Sequence, residues 1–330
     1  MKSISKKNLE SSPRLSLIVI ELRIENSNIS YVLYNLLMDI GILGSGFGVY
    51  GYLPAVCENL WTPIILEKNR SKVEARPELF QYKNRITYVN GEKTLIENSH
   101  SLIIATTPTY QTKFLQSNNL KNINHLYLEK PLASTLKDYF GLVQFLKLQR
   151  RKFSVAYLFV YSSWYQEITT LILTNTPIVL KFNWSVKKTE STWKNDKNYG
   201  GGLLYFYGIH FLALLHNLGV SSNKIEIIEN QKEIMINATD LQNKKIHILI
   251  NYAEDSYFSI KVSKKSINQI VYENQTPFGP QNKIGTKDTR ISLIAKYLKD
   301  LHLTSDSNFI DIEEYIYAVM KAHQKNTDSA

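Results

Sequence analysis

The 330-residue sequence contains one cysteine, Cys57, and no apolar run long enough to cross a bilayer. A lone cysteine excludes an internal disulfide and a cysteine-rich zinc site, which is typical of proteins from a reducing compartment. A membrane-spanning helix needs ~18 or more apolar residues, and the apolar stretch 15–20 is too short for the core of a signal peptide. We therefore expect a cytoplasmic protein with no bound metal and no membrane partner.

Acidic residues are the scarcer charge: 29 Asp and Glu stand against 39 Lys and Arg, which gives a net charge of +10. The basic residues are scattered in pairs such as Lys187-Lys188 and Lys264-Lys265, without the interleaved aromatic residues of a nucleic-acid surface. We expect no nucleic-acid partner. The remaining functional interpretation is that a net positive field gathers anionic small molecules.

The beginning of the chain differs from the rest. Residues 1–37 start with a polar tail and show no clear hydrophobic period, whereas Met38 opens a strand-like pattern. We predict a weakly structured N-terminal extension over 1–37, with the folded part of the chain starting near Met38. The remaining length is typical of two domains.

Short apolar strands alternate with helical patterns between 38 and 150. Strands are predicted at 40–43, 63–66, 102–105 and 125–128. Fully apolar strands that alternate with helices form a parallel sheet covered on both faces. The sequence therefore predicts an α/β fold that begins with a Rossmann-like domain over 38–150.

Past residue 150 the strands follow one another with short polar breaks. They are predicted at 178–186, 224–229, 245–252, 257–264 and 270–273, followed by helices at 291–301 and 312–322. Consecutive strands with period-two patterning indicate an open, largely antiparallel sheet. We predict an α+β domain over 151–330 with a closing C-terminal helix.

A glycine-rich turn lies between the first strand and the first helical pattern. Gly44 and Gly46 fit the first two positions of the G-x-G-x-x-G fingerprint, but Val49 stands where a third glycine is usual. Such a turn lets backbone amides and a helix N-terminus approach a pyrophosphate. We predict that Gly44, Gly46, Phe47 and Gly48 bind a dinucleotide. The alternative is a tight strand–helix turn with no ligand.

The second strand ends in charged residues. Glu67 stands where an acid holds the adenosine ribose in dinucleotide-binding folds. Lys68 and Arg70 follow it and could instead hold a 2′-phosphate. The sequence leaves NAD and NADP both open, and each charge could also be an ordinary solvated strand end.

Four segments, in this order, resemble the Gfo/Idh/MocA family of oxidoreductases. They are the glycine turn with Leu53-Pro54-Ala55, then Ile104-Ala105-Thr106-Thr107-Pro108, Glu129-Lys130-Pro131, and Gly200-Gly201-Gly202 with His210. The resemblance runs from about residue 38 to the C-terminal helix. It implies a nicotinamide cofactor, NAD or NADP, held by the N-terminal sheet with its reactive face turned to the second domain.

The resemblance also implies roles for single residues. Lys130 and His210 would be catalytic, with Lys130 reaching the substrate oxygen and His210 acting as the acid/base. The Lys130–Pro131 bond would be cis. Further cofactor contacts would come from Thr106, Pro108, Glu129 and Lys130, and further substrate contacts from Trp193, Phe206 and Tyr207.

Two positions depart from the family pattern. Phe206 stands where an Asp is frequent, and Gln111 stands where a His is common. Because residues i and i+4 share a helical face, we expect Phe206 beside His210. Without that carboxylate the pKa values of Lys130 and His210 should fall. Such a site suits an anionic substrate, or one for which a Tyr phenol is the second proton donor.

We predict an NAD(P)-dependent oxidoreductase that acts on a small carbohydrate-like substrate, with a nucleotide sugar of polysaccharide biosynthesis as one candidate. A catalytically silent cofactor-binding sensor or assembly protein is an alternative, as is a reductase of an imine or a linear tetrapyrrole. Since the open C-terminal sheet commonly carries the subunit contact in this family, we expect a homo-oligomer.

Overall fold

The computed structural model describes residues 38–149, 152–174, 176–188, 192–240, 244–264, 267–280, 285–303 and 309–328. The predicted extension over 1–37 lies outside these residues. The described residues belong to one compact unit that contains two six-stranded sheets. No helix within the described ranges is long and apolar enough to cross a membrane.

The first sheet is fully parallel, with strand order β3-β2-β1-β4-β5-β6. Its strands are β1 (Asp39–Leu43), β2 (Thr62–Leu66), β3 (Thr87–Val89), β4 (Ser101–Ile104), β5 (His125–Leu128) and β6 (Phe153–Val155). All residues of β4, β5 and β6 are buried, as expected for strands covered on both faces. The predicted Rossmann-like sheet is confirmed. The two three-residue strands, β3 and β6, were not predicted.

Helices connect these strands. They are α1 (Leu53–Glu58), α2 (Arg70–Glu74), α3 (Glu92–Glu97), α4 (Pro108–Ser117) and α5 (Leu136–Leu148). A π-helical turn, Gly48–Tyr52, precedes α1. Pro54 lies in the first turn of α1, where proline is tolerated because the first backbone N–H groups of a helix have no intrahelical acceptor.

The second sheet is mixed and mostly antiparallel, with strand order β12-β11-β7-β10-β9-β8. Its strands are β7 (Val179–Lys187), β8 (Ile225–Glu229), β9 (Glu233–Thr239), β10 (Lys245–Ala253), β11 (Tyr257–Lys264) and β12 (Ile267–Asn274). The central pair β7 and β10 is parallel, whereas the other pairs are antiparallel. The largely antiparallel sheet is therefore confirmed, with β9 as a strand that the sequence did not predict.

Four further helices complete the described chain: α6 (Ser163–Leu173), α7 (Ile209–Asn217), α8 (Ile291–Leu303) and α9 (Phe309–Asp328). The buried residues Ile294 and Leu298 of α8 share a hydrophobic cluster with Ile40 of the first sheet. Val319 of α9 instead belongs to the cluster that contains Phe182 of the second sheet. The assignment of domains to 38–150 and 151–330 stays a prediction, and α8 packs with residues from the first of these ranges.

Several strands of the second sheet carry exposed apolar side chains. Ile228, Met235, Ile267 and Ile270 are exposed by 37% to 73%. Exposed apolar residues on one sheet are compatible with a subunit contact. The expected homo-oligomer stays a prediction.

Candidate active site

A cleft of about 960 Å³ lies at the carboxyl ends of the parallel strands. The strand order reverses at the neighbouring strands β1 and β4, and ligands of open α/β sheets bind in the crevice that this reversal leaves. The cleft extends to α7 and the turn before it. The predicted site residues that line it are Gly44, Gly46, Phe47, Lys68, Thr106, Glu129, Lys130, Trp193, Phe206, Tyr207 and His210.

Three predicted cofactor residues lie outside this lining. Gly48 is buried, and a Cβ atom there would lie 3.3 Å from Ile42 Cγ2, so this glycine allows the π-helical turn to pack on β1. Pro108 is buried at the first position of α4. The Glu67 carboxylate accepts hydrogen bonds of 2.5 and 3.0 Å from the Arg70 guanidinium, so its charge is already paired.

The glycine turn presents bare backbone to the cleft. Gly44 has φ of +147°, and a Cβ atom there would lie 2.2 Å from the Ala105 carbonyl oxygen, so only glycine fits. A Cβ atom on Gly46 would meet no atom within 4 Å. The Asn69 side chain donates a 3.4 Å hydrogen bond to the Gly44 carbonyl. A phosphate group could therefore approach the Gly46 backbone without displacing protein atoms.

Glu129, Lys130 and Pro131 directly follow β5, and the Lys130–Pro131 bond is cis, as the resemblance implied. Gln111 holds this segment through its side-chain amide. Its Nε2 donates to the carbonyls of Glu129 at 2.9 Å and Leu132 at 3.0 Å, and its Oε1 accepts from the Glu129 N–H at 3.2 Å. Gln111, which stands where the family pattern has a histidine, is buried and fixes the position of the loop that carries Lys130.

A tyrosine that was not among the predicted site residues binds the carboxylate of Glu129, the residue before Lys130. Tyr52, which is fully buried, donates a 2.6 Å hydrogen bond to Glu129 Oε1. Burial raises the pKa of Glu129, while the Lys130 charge and the Tyr52 hydrogen bond oppose that rise. Tyr52 therefore fixes the carboxylate that stands beside Lys130.

Lys130 lies against Phe206. Its Nζ donates a 2.8 Å hydrogen bond to the Phe206 carbonyl and lies 3.5 Å from the centroid of the Phe206 ring. Burial, against the opposing charge of Glu129 and with smaller contributions from Lys194 and Arg290, lowers the pKa of Lys130 to about 7. At neutral pH this group divides between amine and ammonium, which suits a group that exchanges protons.

His210 lies on α7 and is only 4% exposed. Its ring stacks on Phe159 with centroids 4.9 Å apart. Burial lowers the pKa of His210 well below its usual value, with added contributions from Lys130 and Arg290, so the imidazole is neutral at pH 7. Its buried Nδ1 has no hydrogen-bond partner among the described residues. A buried polar atom of this kind is the exception in folded proteins and suits a ligand contact.

The segment before α7 differs from the expected α-helix. Leu203–Gly208 is a π-helical turn, so the α-helical spacing assumed for Phe206 and His210 does not apply. Both residues still line the cleft. Tyr205 instead lines a second groove, so the aromatic run 205–207 does not form one continuous wall.

Three cleft-lining cations, Arg76, Lys194 and Arg290, were not predicted from the sequence. Arg290 precedes α8; Asp288 accepts hydrogen bonds of 3.0 and 2.7 Å from its guanidinium, which lies 4.0 Å from the Phe47 ring centroid. Lys194 follows Trp193, and burial lowers its pKa, as does Arg290. The segment Trp193-Lys194-Asn195-Asp196 before the glycines also resembles the family pattern and was the sequence signal for Lys194, whereas Arg290 had none because it lies in a polar loop.

The triple glycine explains the position of Trp193. A Cβ atom on Gly201 would lie 2.2 Å from the Trp193 carbonyl oxygen, so the two backbone segments pack directly on each other. The Trp193 ring then meets the Phe206 ring edge to face, with centroids 5.5 Å apart. This packing brings Trp193 and Lys194 to the wall of the cleft.

Solved structures share this architecture. A Gfo/Idh/MocA family oxidoreductase from Vibrio cholerae superimposes with a TM-score of 0.63 at 11% identity, covering 88% of this chain and 99% of that chain. The fold is that of a Gfo/Idh/MocA oxidoreductase. The fold that the sequence resemblance implied is therefore confirmed, and an identity this low shows the fold alone.

Two similar structures contain bound ligands. The WlbA (WbpB) dehydrogenase from Thermus thermophilus, in complex with NAD and UDP-GlcNAcA, has a TM-score of 0.61 at 13% identity, covering 86% of this chain and 94% of that one. KijD10, a 3-ketoreductase from Actinomadura kijaniata in complex with NADP and TDP-benzene, has a TM-score of 0.64 at 10% identity, with coverage of 87% and 97%. No protein-family profile matches the sequence, and no curated protein matches it either.

Proposed function

We propose that this chain is an NAD(P)-dependent oxidoreductase that transfers a hydride to or from a carbohydrate-like substrate. The observation that carries the proposal is the single cleft that joins the glycine turn after β1 to Lys130 and His210. The cleft therefore has a phosphate-binding turn at one end and proton-exchanging groups at the other. Its size and mixed apolar and polar lining are typical of small-molecule sites.

The residues present fit a dinucleotide. The open backbone at Gly46 suits the pyrophosphate, and Lys68 lines the cleft near the end of β2. Because Glu67 is paired with Arg70 and lies outside the lining, Lys68 favours a 2′-phosphate over a free ribose hydroxyl as the partner here. The complexes of similar structures with NAD and with NADP support the cofactor class.

A bound nicotinamide would supply or accept the hydride. The proton on the substrate oxygen must then be handled by side chains, and Lys130, with a pKa of about 7, can take it as an amine or return it as an ammonium. One Lys130 N–H is used by the Phe206 carbonyl, which leaves the rest of the group for the substrate oxygen. The neutral His210 imidazole, with its unpartnered Nδ1, can orient the same oxygen.

The proposed substrate class is inferred from the side chains that form the cleft wall opposite the first sheet. Trp184, Trp193, Phe206 and Tyr207 line it, and aromatic side chains offer large apolar faces to a bound ring. The UDP-GlcNAcA complex of a similar dehydrogenase supports a sugar or nucleotide sugar as substrate.

Fluorescence titration with NADH and NADPH, followed by turnover with a panel of sugars and nucleotide sugars, tests the proposal. Lys130→Met should lower turnover by roughly 10²-fold, the size of a lost proton-transfer group, and His210→Asn should lower it by up to roughly 10²-fold because the substrate oxygen is no longer oriented, while cofactor affinity is kept in both. His216→Asn is the matched control, because His216 also lies on α7 but does not line the cleft. Absence of NADH and NADPH binding would refute the cofactor assignment, and full turnover in Lys130→Met would refute its role.

A catalytically silent cofactor-binding protein is the second candidate. The Lys130 ammonium bonds a protein carbonyl and rests on an aromatic ring instead of facing a carboxylate, which favours this alternative. Such a protein would bind NADH or NADPH and oxidise or reduce nothing in the panel.

A further inference from the structure

The carboxylates around the cleft are already bonded to other side chains. Glu78 pairs with Arg76 at 2.7 Å, Glu92 accepts from Tyr110, Glu129 accepts from Tyr52 at 2.6 Å, and Asp288 pairs with Arg290 at 2.7 Å. In contrast, Lys130 and Lys194 form no ion pair with any carboxylate in the part of the chain that the structure describes. With Lys68, these two are the cleft-lining cations that have no directly bonded carboxylate in the described chain, and the charge of Glu129 acts on Lys130 and Lys194 only through space.

Both ammonium groups lie against one aromatic ring. Lys130 Nζ is 3.5 Å and Lys194 Nζ is 5.4 Å from the centroid of Phe206. The face of the ring attracts each cation, but the ring carries no net charge. Two partly buried like charges thus remain close together, and burial lowers the pKa of each. An anion between them would remove this repulsion.

We propose that the substrate carries this anion, a carboxylate or a phosphate, and that Lys194 is the residue that selects for it. The inference rests on the proposed function and narrows its substrate class to anionic sugars or sugar phosphates. Lys194 lies on the wall formed with Trp193 and Phe206. Binding of the anion to protein that is already saturated with cofactor distinguishes this anion from the pyrophosphate of the cofactor.

Hydrogen bonds between ionised partners are roughly twice as strong as those between neutral groups. A neutral substrate would leave Lys130 and Lys194 without a directly bonded negative partner, whereas an anionic substrate supplies one. Arg290 strengthens the preference through its positive field, although its guanidinium is already held by Asp288. The preference should weaken as ionic strength rises.

Calorimetric titration of the protein saturated with NADH or NADPH, whichever binds more tightly, tests the inference with D-glucuronate, D-glucose and inorganic pyrophosphate. At least one anion should bind about tenfold or more tightly than D-glucose, as expected for a charge-assisted contact. The two anions distinguish which group of the substrate carries the charge. Tighter binding of D-glucuronate indicates a sugar carboxylate, and tighter binding of pyrophosphate indicates the diphosphate of a nucleotide sugar.

Variants at one position complete the test. Lys194→Met should weaken anion binding about tenfold or more and leave D-glucose and NADH binding unchanged, whereas Lys194→Arg should retain most of the anion affinity. Lys137→Met, an exposed lysine outside the cleft, is the control for general charge loss.

Three results would overturn the inference. The first is that D-glucose and both anions bind with equal affinity. The second is that Lys194→Met binds the anions as tightly as the wild type does. The third is that the anions bind the free protein but NADH displaces them. A wild-type protein that binds neither NADH nor NADPH would refute the proposed function instead, and the anion titration can still be read on the free protein.

Discussion

One buried carboxyl should make the stability of this protein depend on pH. Glu313 lies on α9, is 1% exposed, and accepts hydrogen bonds from the phenols of Tyr139 and, at 3.3 Å, Tyr157. Burial raises the pKa of Glu313 to about 8, although both phenols oppose the rise. The carboxyl is therefore protonated in the folded protein at neutral pH, and Glu313→Gln replaces it with a neutral group of the same shape.

The size of the effect follows from proton linkage. In the unfolded chain a glutamate has a pKa of about 4.3. Because the pKa is raised in the folded protein, the folded state binds one more proton than the unfolded state between these two values, and the free energy of unfolding falls as pH rises. With a folded pKa of about 8, the stability lost is on the order of 5 kcal/mol at about 1.4 kcal/mol per pH unit. The loss is complete above the folded pKa.

Urea unfolding followed by tryptophan fluorescence, from about pH 5 to about pH 9, measures this loss. The advantage of Glu313→Gln over the wild type should grow by about 4 kcal/mol across that range, because most of the interval between the two pKa values lies within it. Glu314→Gln is the matched control, since Glu314 is the next residue and 42% exposed in an ion pair with Lys147, a contact worth about 0–1 kcal/mol. Parallel curves for Glu313→Gln and the wild type would show that Glu313 is ionised in the folded protein and would refute the reasoning.

Three further predictions concern the cleft. Gly46→Ala adds a methyl group on the open side of the glycine turn and should weaken dinucleotide binding about tenfold, ~1.4 kcal/mol, whereas Gly141→Ala, also in open space, should leave the same titration unchanged. Lys68→Ala should lower affinity for NADPH more than for NADH, and equal losses would remove its proposed 2′-phosphate contact. Phe206→Asp should raise the pKa of Lys130, by about 1–3 for an opposite charge this close, and move the pH profile of kcat/KM for substrate oxidation upward. A profile that stays in place would show that Lys130 is not the titrating group.

The fold could be predicted because its strands are apolar and end in distinctive residues. The glycine turn after β1 and Glu129-Lys130-Pro131 after β5 lie at the carboxyl edge of one parallel sheet, so the topology alone brings them to one cleft. The position of His210 on the opposite wall depended on the resemblance, because periodicity says nothing about how two sheets face each other.

Other features could not be read from the sequence for definite physical reasons. β3 and β6 have three residues each, which is too short to show a hydrophobic period. Tyr52 stood in an apolar helical pattern, and only the folded chain brings its hydroxyl to Glu129, 77 positions away. The parallel pairing of β7 with β10 depends on the order of strands in the sheet and not on their patterns.

The position of α8 affects how the chain can fold during synthesis. Its residues Ile294 and Leu298 belong to the same buried cluster as Ile40, Val56 and Tyr127. The core under the first sheet therefore stays incomplete until the ribosome has made and released α8, about 10–30 s after β6 at ~5–20 residues/s. During that interval part of an apolar surface is uncovered, and a chaperone that binds nascent apolar segments would find its target there.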